Sequence, residues 1–302
     1  MIKNFDELKE AAKKQNSMKL AVAAAQDEEV LIAVTNAAEL GFVTPILVGD
    51  KELINKIAVE HQLNISDYEI VDIKDLSEAA MAAVKLVSSG QADFVMKGIL
   101  DTSILLKAVL DKEIGLRTNS QLSHVMVYKT DHYHKLLFLT DGGMNINPTL
   151  EEKVKITKNA VEVAKAMGIN TVKVACLAAK EKVDPKMPAT VDADQLQNMG
   201  NSGEFGEDVV VEGPLAFDLA ISKEAAEIKK FKSKVAGDAD VLLVPTIEMG
   251  NGIGKTLTYL ANAESAGVIM GAKAPVVLVS RADTHETKLN SIALGSLIAA
   301  NR

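Results

Sequence analysis

The chain has 302 residues, 48% of them hydrophobic and 25% charged, enough for two domains of ordinary size or one large one, with ample material for a core. A formal net charge of −8 argues against an extended nucleic-acid surface, which needs clustered lysine and arginine, but leaves room for a small phosphorylated ligand. Aromatic residues make up 4% and tryptophan is absent, so Ala, Val, Ile and Leu must do the packing; the one cysteine, Cys176, excludes an internal disulfide and reads as a buried structural thiol.

The opening segment, MIKNFDELKEAAKKQ, reads as an amphipathic helix and lacks the apolar core of a signal peptide. No apolar stretch reaches the length that spans a bilayer, so the expectation is a cytoplasmic protein without membrane contact. Short apolar runs then alternate with helical patterns. Lys19–Ala25 reads as a strand, followed by a helix capped by Asp27 and ended at Gly41. Pro45–Val48, a helix around Lys51–Gln62, the run Glu69–Val71 and an Ala-rich helix over Ser77–Val87 come next. Phe94–Met96 is another strand, leading to Lys97, Gly98 and a helix that begins near Thr102. Units of this length mean parallel βαβ crossovers.

The rhythm changes at His124–Tyr128 and Leu136–Thr140, two β-rich runs joined by the polar turn KTDHYHK, which predicts an antiparallel pair and a domain junction. We expect residues 1–133 with 279–302 to form one α/β domain and 134–278 the other. After Pro148, Thr149 and Glu152 have capping-box spacing and Gly168 ends the helix. Val172–Ala178, Val209–Val211, Val241–Val244 and Val276–Val279 supply further strands. Lys180–Asp208 is polar and reads as a long loop with a short helix near Asp192–Met199.

Several segments carry chemistry. Lys97 can hold a phosphate just after a strand, with Gly98 allowing a tight turn and Thr102 capping the next helix. Arg117, Ser123 and His124 approach a strand, but Ser123 and His124 are adjacent and point to opposite faces, so they do not make a nucleophile–base pair. His132 and His134 lie near Asp131, with no third ligand at useful spacing, and no metal site is expected. Asp141–Pro148 (DGGMNINP), which contains Asn145, fits a tight turn or a binding loop. Gly250–Thr256 (GNGIGKT) misses the phosphate-loop pattern because Met249 stands where the first glycine belongs, and it misses the dinucleotide fingerprint by one residue. What survives is an anion site at a helix start, using Asn251 and Lys255. Finally, the run Val276–Val279 stops at Ser280 and Arg281, with Asp283, Thr284, Glu286 and Thr287 close behind. In an open α/β sheet ligands bind past the carboxyl ends of strands. The plainer alternative is a solvated strand end capped by Thr284.

Six segments in order, KGILDT, RTNSQLSHV, TDGGMNINPTLEEK, VEGPLAFDLA, VPTIEMGNGIGKTLTYL and PVVLVSRADT, resemble the phosphate acetyl/butyryltransferase family from Lys97 to Thr284. The modest chain length points to the butyryl branch. The resemblance implies two α/β domains of the isocitrate dehydrogenase type with mostly parallel sheets, an active site in the interdomain cleft, and a homodimer. It also implies the reversible conversion of acyl-CoA and phosphate into acyl phosphate and CoA, with CoA and phosphate as substrates and no metal or bound cofactor.

By the same resemblance Arg281 grips the phosphoryl group, Ser280 donates to the developing oxyanion, and Arg117 neutralises further charge. The family's base falls seven residues after the serine, where this chain has Thr287, so Glu286 and Asp283 are both candidates, Glu286 being favoured by its place in the first helical turn. Lys97, Thr102, Ser123, Asp141, Asn145, Asn251 and Lys255 are candidates for substrate binding. Acetyltransferases of the family carry a cysteine where this chain has Gly142, and the smaller residue suggests room for a longer acyl chain. The alternatives are a phosphate acetyltransferase of the same family, a non-catalytic CoA- or acyl-phosphate-binding module, or a dehydrogenase, which the missing dinucleotide fingerprint disfavours.

Overall fold

Apolar runs buried on both faces become strands here, and stretches with an Asp or Thr just ahead of a helical period become capped helices. The computed structural model of the chain describes residues 1–278, 280 and 283–302. Helix α1 (Phe5–Lys13) buries Phe5, Leu8 and Ala12 along one face. Then follow β1 (Met18–Ala23), α2 (Glu28–Glu39), β2 (Val43–Gly49), α3 (Lys51–Glu60), β3 (Glu69–Asp72), α4 (Leu76–Ser88), β4 (Phe94–Lys97) and α5 (Thr102–Val109). Asp27, Asp50 and Asp75 cap α2, α3 and α4 through their carboxylates. The chain continues through β5 (Ser123–Lys129), β6 (Leu137–Thr140), α6 (Leu150–Ala166), β7 (Val172–Leu177), α7 (Pro188–Asn201), β8 (Val209–Leu215), α8 (Phe217–Ile221), α9 (Lys223–Ile228), β9 (Val241–Leu243) and α10 (Ile247–Tyr259). It closes with β10 (Glu264–Met270), β11 (Val276–Val277) and α11 (His285–Ala300).

Two compact units result: Phe5–Ser120 with Ala266–Arg302, and Met1–Asn4 with Gln121–Ser265. The chain therefore passes between units after residues 4, 120 and 265, where the sequence suggested passages after 133 and 278. The polar turn after Tyr128 is the tip of a hairpin, since β5 and β6 pair antiparallel (Met126 with Leu139, Tyr128 with Leu137), and a hairpin stays within one unit. At the other crossing, β10, which the sequence did not reveal, pairs antiparallel with β11 through Ile269 and Val276.

In the first unit the strand order is β3-β2-β1-β4-β11-β10, parallel except for β10. Helix α11 is buried almost all round from Lys288 to Ile298 and forms the centre of this unit's helical layer. Val277 lies opposite Met96, and Ala23 lies opposite Lys97, so β1, β4 and β11 end side by side.

In the second unit the order is β5-β6-β9-β7-β8, parallel except for the β5–β6 hairpin. Tyr128, Leu139, Leu177, Leu215, Leu242 and Val235 belong to its core. Both halves of the Thr149–Glu152 capping box form. The polar segment 180–208 is less loop-like than its composition suggests. It holds a 14-residue helix, α7, started by Pro188 and anchored by buried Thr190, Ala193 and Leu196 at helical spacing. Among the described residues no helix is long and apolar enough to cross a membrane.

Cys176 sits on β7 at 2% exposure, and burial pushes its thiol up to about 12. The native protein should therefore leave a thiol reagent unreacted at pH 8, and denaturant should release one thiol per chain. Rapid labelling of the native protein would contradict this burial.

Candidate active site

The carboxyl ends of β1, β4 and β11 organise the candidate residues of the first unit. At the end of β4 the chain turns under backbone control: Gly98 N donates to Ala23 O and Ile99 N to Ala24 O, each at 2.8 Å. A side chain at Gly98 would meet Ala24 O at 2.0 Å, so only glycine fits this turn. Lys97 is buried, and its Nζ donates to Gly98 O at 3.2 Å and to Leu100 O at 3.0 Å, steadying the same turn. Thr102 is the first residue of α5 rather than its cap; Asp101 holds the cap position, in keeping with the preference for aspartate there.

Past β11, Ser280 and Asp283 close a turn on each other. Ser280 N donates to Asp283 Oδ2 at 2.7 Å, and Asp283 N donates to Ser280 O at 3.1 Å. Beneath them the buried Lys288 donates from Nζ to Asp283 O. Thr284 caps α11 by accepting from Thr287 N at 3.3 Å, as its position suggested. Glu286 lies in the first turn of α11, but its carboxylate faces α1 and pairs with Lys9 Nζ at 2.9 Å. Of the two carboxylates left open by the sequence, Asp283 touches Ser280. Arg281 lies outside the described residues, as do Val279 and Ala282. Arg117 is exposed beside the turn that leads into β11, where Lys273 N donates to Leu116 O at 2.8 Å and Thr118 Oγ1 donates to Gly271 O. Ser280 lies past the other end of that strand.

In the second unit the loop after β6 is built around Asp141, which is 3% exposed. Its Oδ1 accepts from Gly143 N at 2.7 Å and Met144 N at 2.9 Å; its Oδ2 accepts from Asn145 Nδ2 at 2.6 Å and His124 N at 3.1 Å. A carboxylate taking four donors is saturated, so Asp141 shapes the loop. Asn145 is likewise engaged: it donates to Leu122 O at 2.9 Å as well as to Asp141, and it accepts from Gln121 Nε2 at 2.6 Å. Ser123 is fully buried, and its Oγ accepts from Asn159 Nδ2 at 2.8 Å, so it backs the loop from behind. His134 lies away from this loop and bonds Asp238 Oδ1 at 2.7 Å.

The segment GNGIGKT is helical throughout, because α10 begins at Ile247, three residues before it. Lys255 is thus the ninth residue of the helix, with its Nζ 5.7 Å from the ring centre of Tyr259, and does not stand at a helix start. Asn251 remains near the loop, its Nδ2 3.5 Å from Gly142 O. The glycines serve close approach: a Cβ on Gly250 would meet Gly142 Cα at 2.6 Å and Asp141 O at 2.9 Å. Ile247 N also donates to Ile146 O at 3.0 Å, so loop and helix are joined by backbone on backbone.

The family described as Phosphate acetyl/butaryl transferase matches residues 4–80 and 74–296. The chain belongs to this family. The phosphate butyryltransferase of Clostridium acetobutylicum is 49% identical over 302 residues, all of both chains. A phosphate acetyltransferase of Rhizobium meliloti is 42% identical, covering 99% of this chain and 94% of that protein. The crystal structure of a branched-chain phosphotransacylase from Enterococcus faecalis V583 shares 35% identity with a TM-score of 0.82, over 93% of this chain and 99% of that one.

The structure corrects the expectation of acyl-chain room at Gly142. The space a side chain would fill is not left for an acyl group. A Cβ there would sit 2.7 Å from Gly250 C and 3.0 Å from Asn251 N, so the backbone of α10 occupies it. Sequence reasoning missed Gln121, Asn159 and Lys288. Each is an ordinary polar residue on its own and gains its part only from neighbours that the fold supplies.

Proposed function

We propose that this protein transfers a short acyl group, butyryl foremost, between CoA and phosphate: acyl-CoA and phosphate give acyl phosphate and CoA, reversibly. The observation that carries the reading is the Ser280–Asp283 corner at the open end of β11, in a chain matched end to end by a phosphate butyryltransferase. From the acyl phosphate side, the CoA thiol gives its proton to Asp283, and the thiolate adds to the acyl carbonyl carbon. Ser280 donates to the oxyanion; the carbon–sulfur bond stays as the carbon–oxygen bond to phosphate breaks, and Arg281 holds the departing phosphate with a two-pronged grip. The reverse course has phosphate oxygen attacking the thioester, with the thiolate leaving and taking back the proton. Asp283 is preferred over Glu286 because it bonds Ser280 while Glu286 is paired with Lys9. Lys97, Thr102, Arg117 and Asn251 stay in the proposal as substrate contacts, and Asp141, Asn145 and Ser123 as the frame of the loop.

Thioester formation from butyryl phosphate and CoA tests the assignment of roles. Arg281→Ala should cut the rate by about a hundredfold or more at limiting acyl phosphate while circular dichroism stays native. A variant as fast as the parent would remove Arg281 from the mechanism. The 42% identity to an acetyltransferase supports a second reading, acetyl as the preferred group, and rates compared across acyl chain lengths decide between the two. The proposal also includes a cytoplasmic homodimer that needs no metal; light scattering and turnover in excess chelator check the dimer and the metal independence.

A further inference from the structure

Lys288 is a buried cation with no counter-ion among the described residues. It stands in the first turns of α11 at 4% exposure. Helical side chains lean back towards the N-terminus, so its stem runs beneath the start of the helix and its Nζ donates to Asp283 O. An ammonium carries three N–H groups, and among the described residues this is the one acceptor they meet. The acids around the first turn of α11 are engaged elsewhere. Glu286 pairs with Lys9 at 2.9 Å, Glu29 with His285 Nδ1 at 3.2 Å, and Asp283 Oδ2 accepts from Ser280 N at 2.7 Å.

This placement works against the stability of the fold. A buried charge without an ionic partner is unfavourable, and this one lies at the positive end of a helix. Packing does not require it, since methionine has nearly the same length and would fill the space without charge. Residues kept in spite of such a cost gather where activity needs them. Directly above the ammonium is the corner of the proposed transfer. Asp283 N donates to Ser280 O at 3.1 Å, so the carbonyl that Lys288 holds belongs to the residue that closes the turn.

We propose that Lys288 is a positioning residue for the acyl transfer. It pins Asp283 from below, which aims the Asp283 carboxylate and Ser280, and its unbalanced charge favours the negative charge that gathers at the corner in the transition state. The role rests on the proposed reaction at Ser280 and Asp283. Lys288 itself is buried, touches no substrate and carries no proton in the reaction. An interaction that counts only as charge develops raises kcat and leaves KM nearly alone.

Rates of thioester formation from butyryl phosphate and CoA, with urea unfolding, on the parent, Lys288→Met and Lys288→Arg test the role. Lys288→Met should lower kcat by about tenfold to a hundredfold, with KM for both substrates within about twofold of the parent. Its urea midpoint should equal or exceed the parent's, because a costly buried charge is gone. Lys288→Arg keeps the charge and should recover most of kcat. Parental kcat in Lys288→Met overturns the role. So does a slow Lys288→Met with a lowered urea midpoint, the pattern of a lysine that only holds the fold together. A folded Lys288→Arg as slow as Lys288→Met overturns it too, and where arginine does not fit, the methionine variant decides alone. If the parent forms no thioester, the reaction is wrong and this role falls with it. If the parent turns over and Lys288→Met is equally fast, the reaction stands and the role alone falls.

Discussion

Asp141→Ala should lower acyl transfer by about a hundredfold or more and shift the urea midpoint downward by the equivalent of about 2–4 kcal/mol. The carboxylate of Asp141, itself only 3% exposed, accepts from Gly143 N, Met144 N, Asn145 Nδ2 and His124 N, so its removal takes the partner from three backbone N–H groups and leaves Asn145 Nδ2 with Leu122 O alone. Each stranded donor costs roughly 1–3 kcal/mol before water and local shifts relieve part of it. Asp141→Asn keeps the shape but replaces one oxygen by a donor, so two of the four contacts turn unfavourable, and its effects should lie between parent and Ala. Equilibrium unfolding and initial rates on the three proteins measure both quantities. If Asp141→Ala leaves the midpoint and rate unchanged, the loop is not held by this carboxylate.

Gly250→Ala should lower the rate by about tenfold or more and destabilise by about 1–3 kcal/mol. The added methyl would meet Gly142 Cα at 2.6 Å, Asp141 O at 2.9 Å and Val244 Cγ2 at 2.9 Å. Two of those three are backbone, which cannot swing aside as the end of a side chain can. Either α10 or the Asp141 loop must move, and the bond from Ile247 N to Ile146 O then lengthens or breaks. Gly252, on the same helix, provides the contrast. No heavy atom lies within 4 Å of a Cβ there, and alanine should stabilise by about 0.5–1 kcal/mol through helix propensity. Gly250→Ala with parental rate and stability would show that the two backbones are not in contact.

Much of this fold is legible because parallel strands are buried on both faces and read as unbroken apolar runs, as in Leu20–Ala23 or Val174–Leu177. Helix starts are legible where an aspartate or threonine cap stands alone, as at Asp27 and Thr149. Strand β10 escaped because ESAGVIM opens with polar and small residues and lacks an alternating period. Of α7 only the stretch Asp192–Met199 is legible; its first turn escaped because its buried residues include Thr190 and Ala193, which carry little hydrophobic signal. The glycines of GNGIGKT imitate a loop, whereas tertiary packing requires them within a helix: Gly250 against Gly142, and Gly254 against Tyr128, whose hydroxyl would lie 2.7 Å from an added Cβ.

The site divides along the same line. Motif order points to the Ser280 corner and the Asp141 loop. It does not separate Asp283 from Glu286, because that choice depends on Lys9, whose ammonium comes from a helix at the far end of the chain and pairs with Glu286. Nor does it reveal that Asp141 is saturated, since three of its donors are backbone N–H groups whose directions only the folded loop fixes. Asn159 is a similar case, reaching from α6 to Gln121 O and Ser123 Oγ, both at 2.8 Å, over more than thirty residues of chain.

Phosphate-dependent release of free thiol from butyryl-CoA by the purified protein is the most direct measurement. The native protein's own thiol is buried and adds no background. Release that rises with phosphate, saturates, and is fastest near four acyl carbons is the result expected of a short-chain acyltransferase. No release from acetyl-, propionyl-, butyryl- or isobutyryl-CoA with phosphate in excess would contradict it.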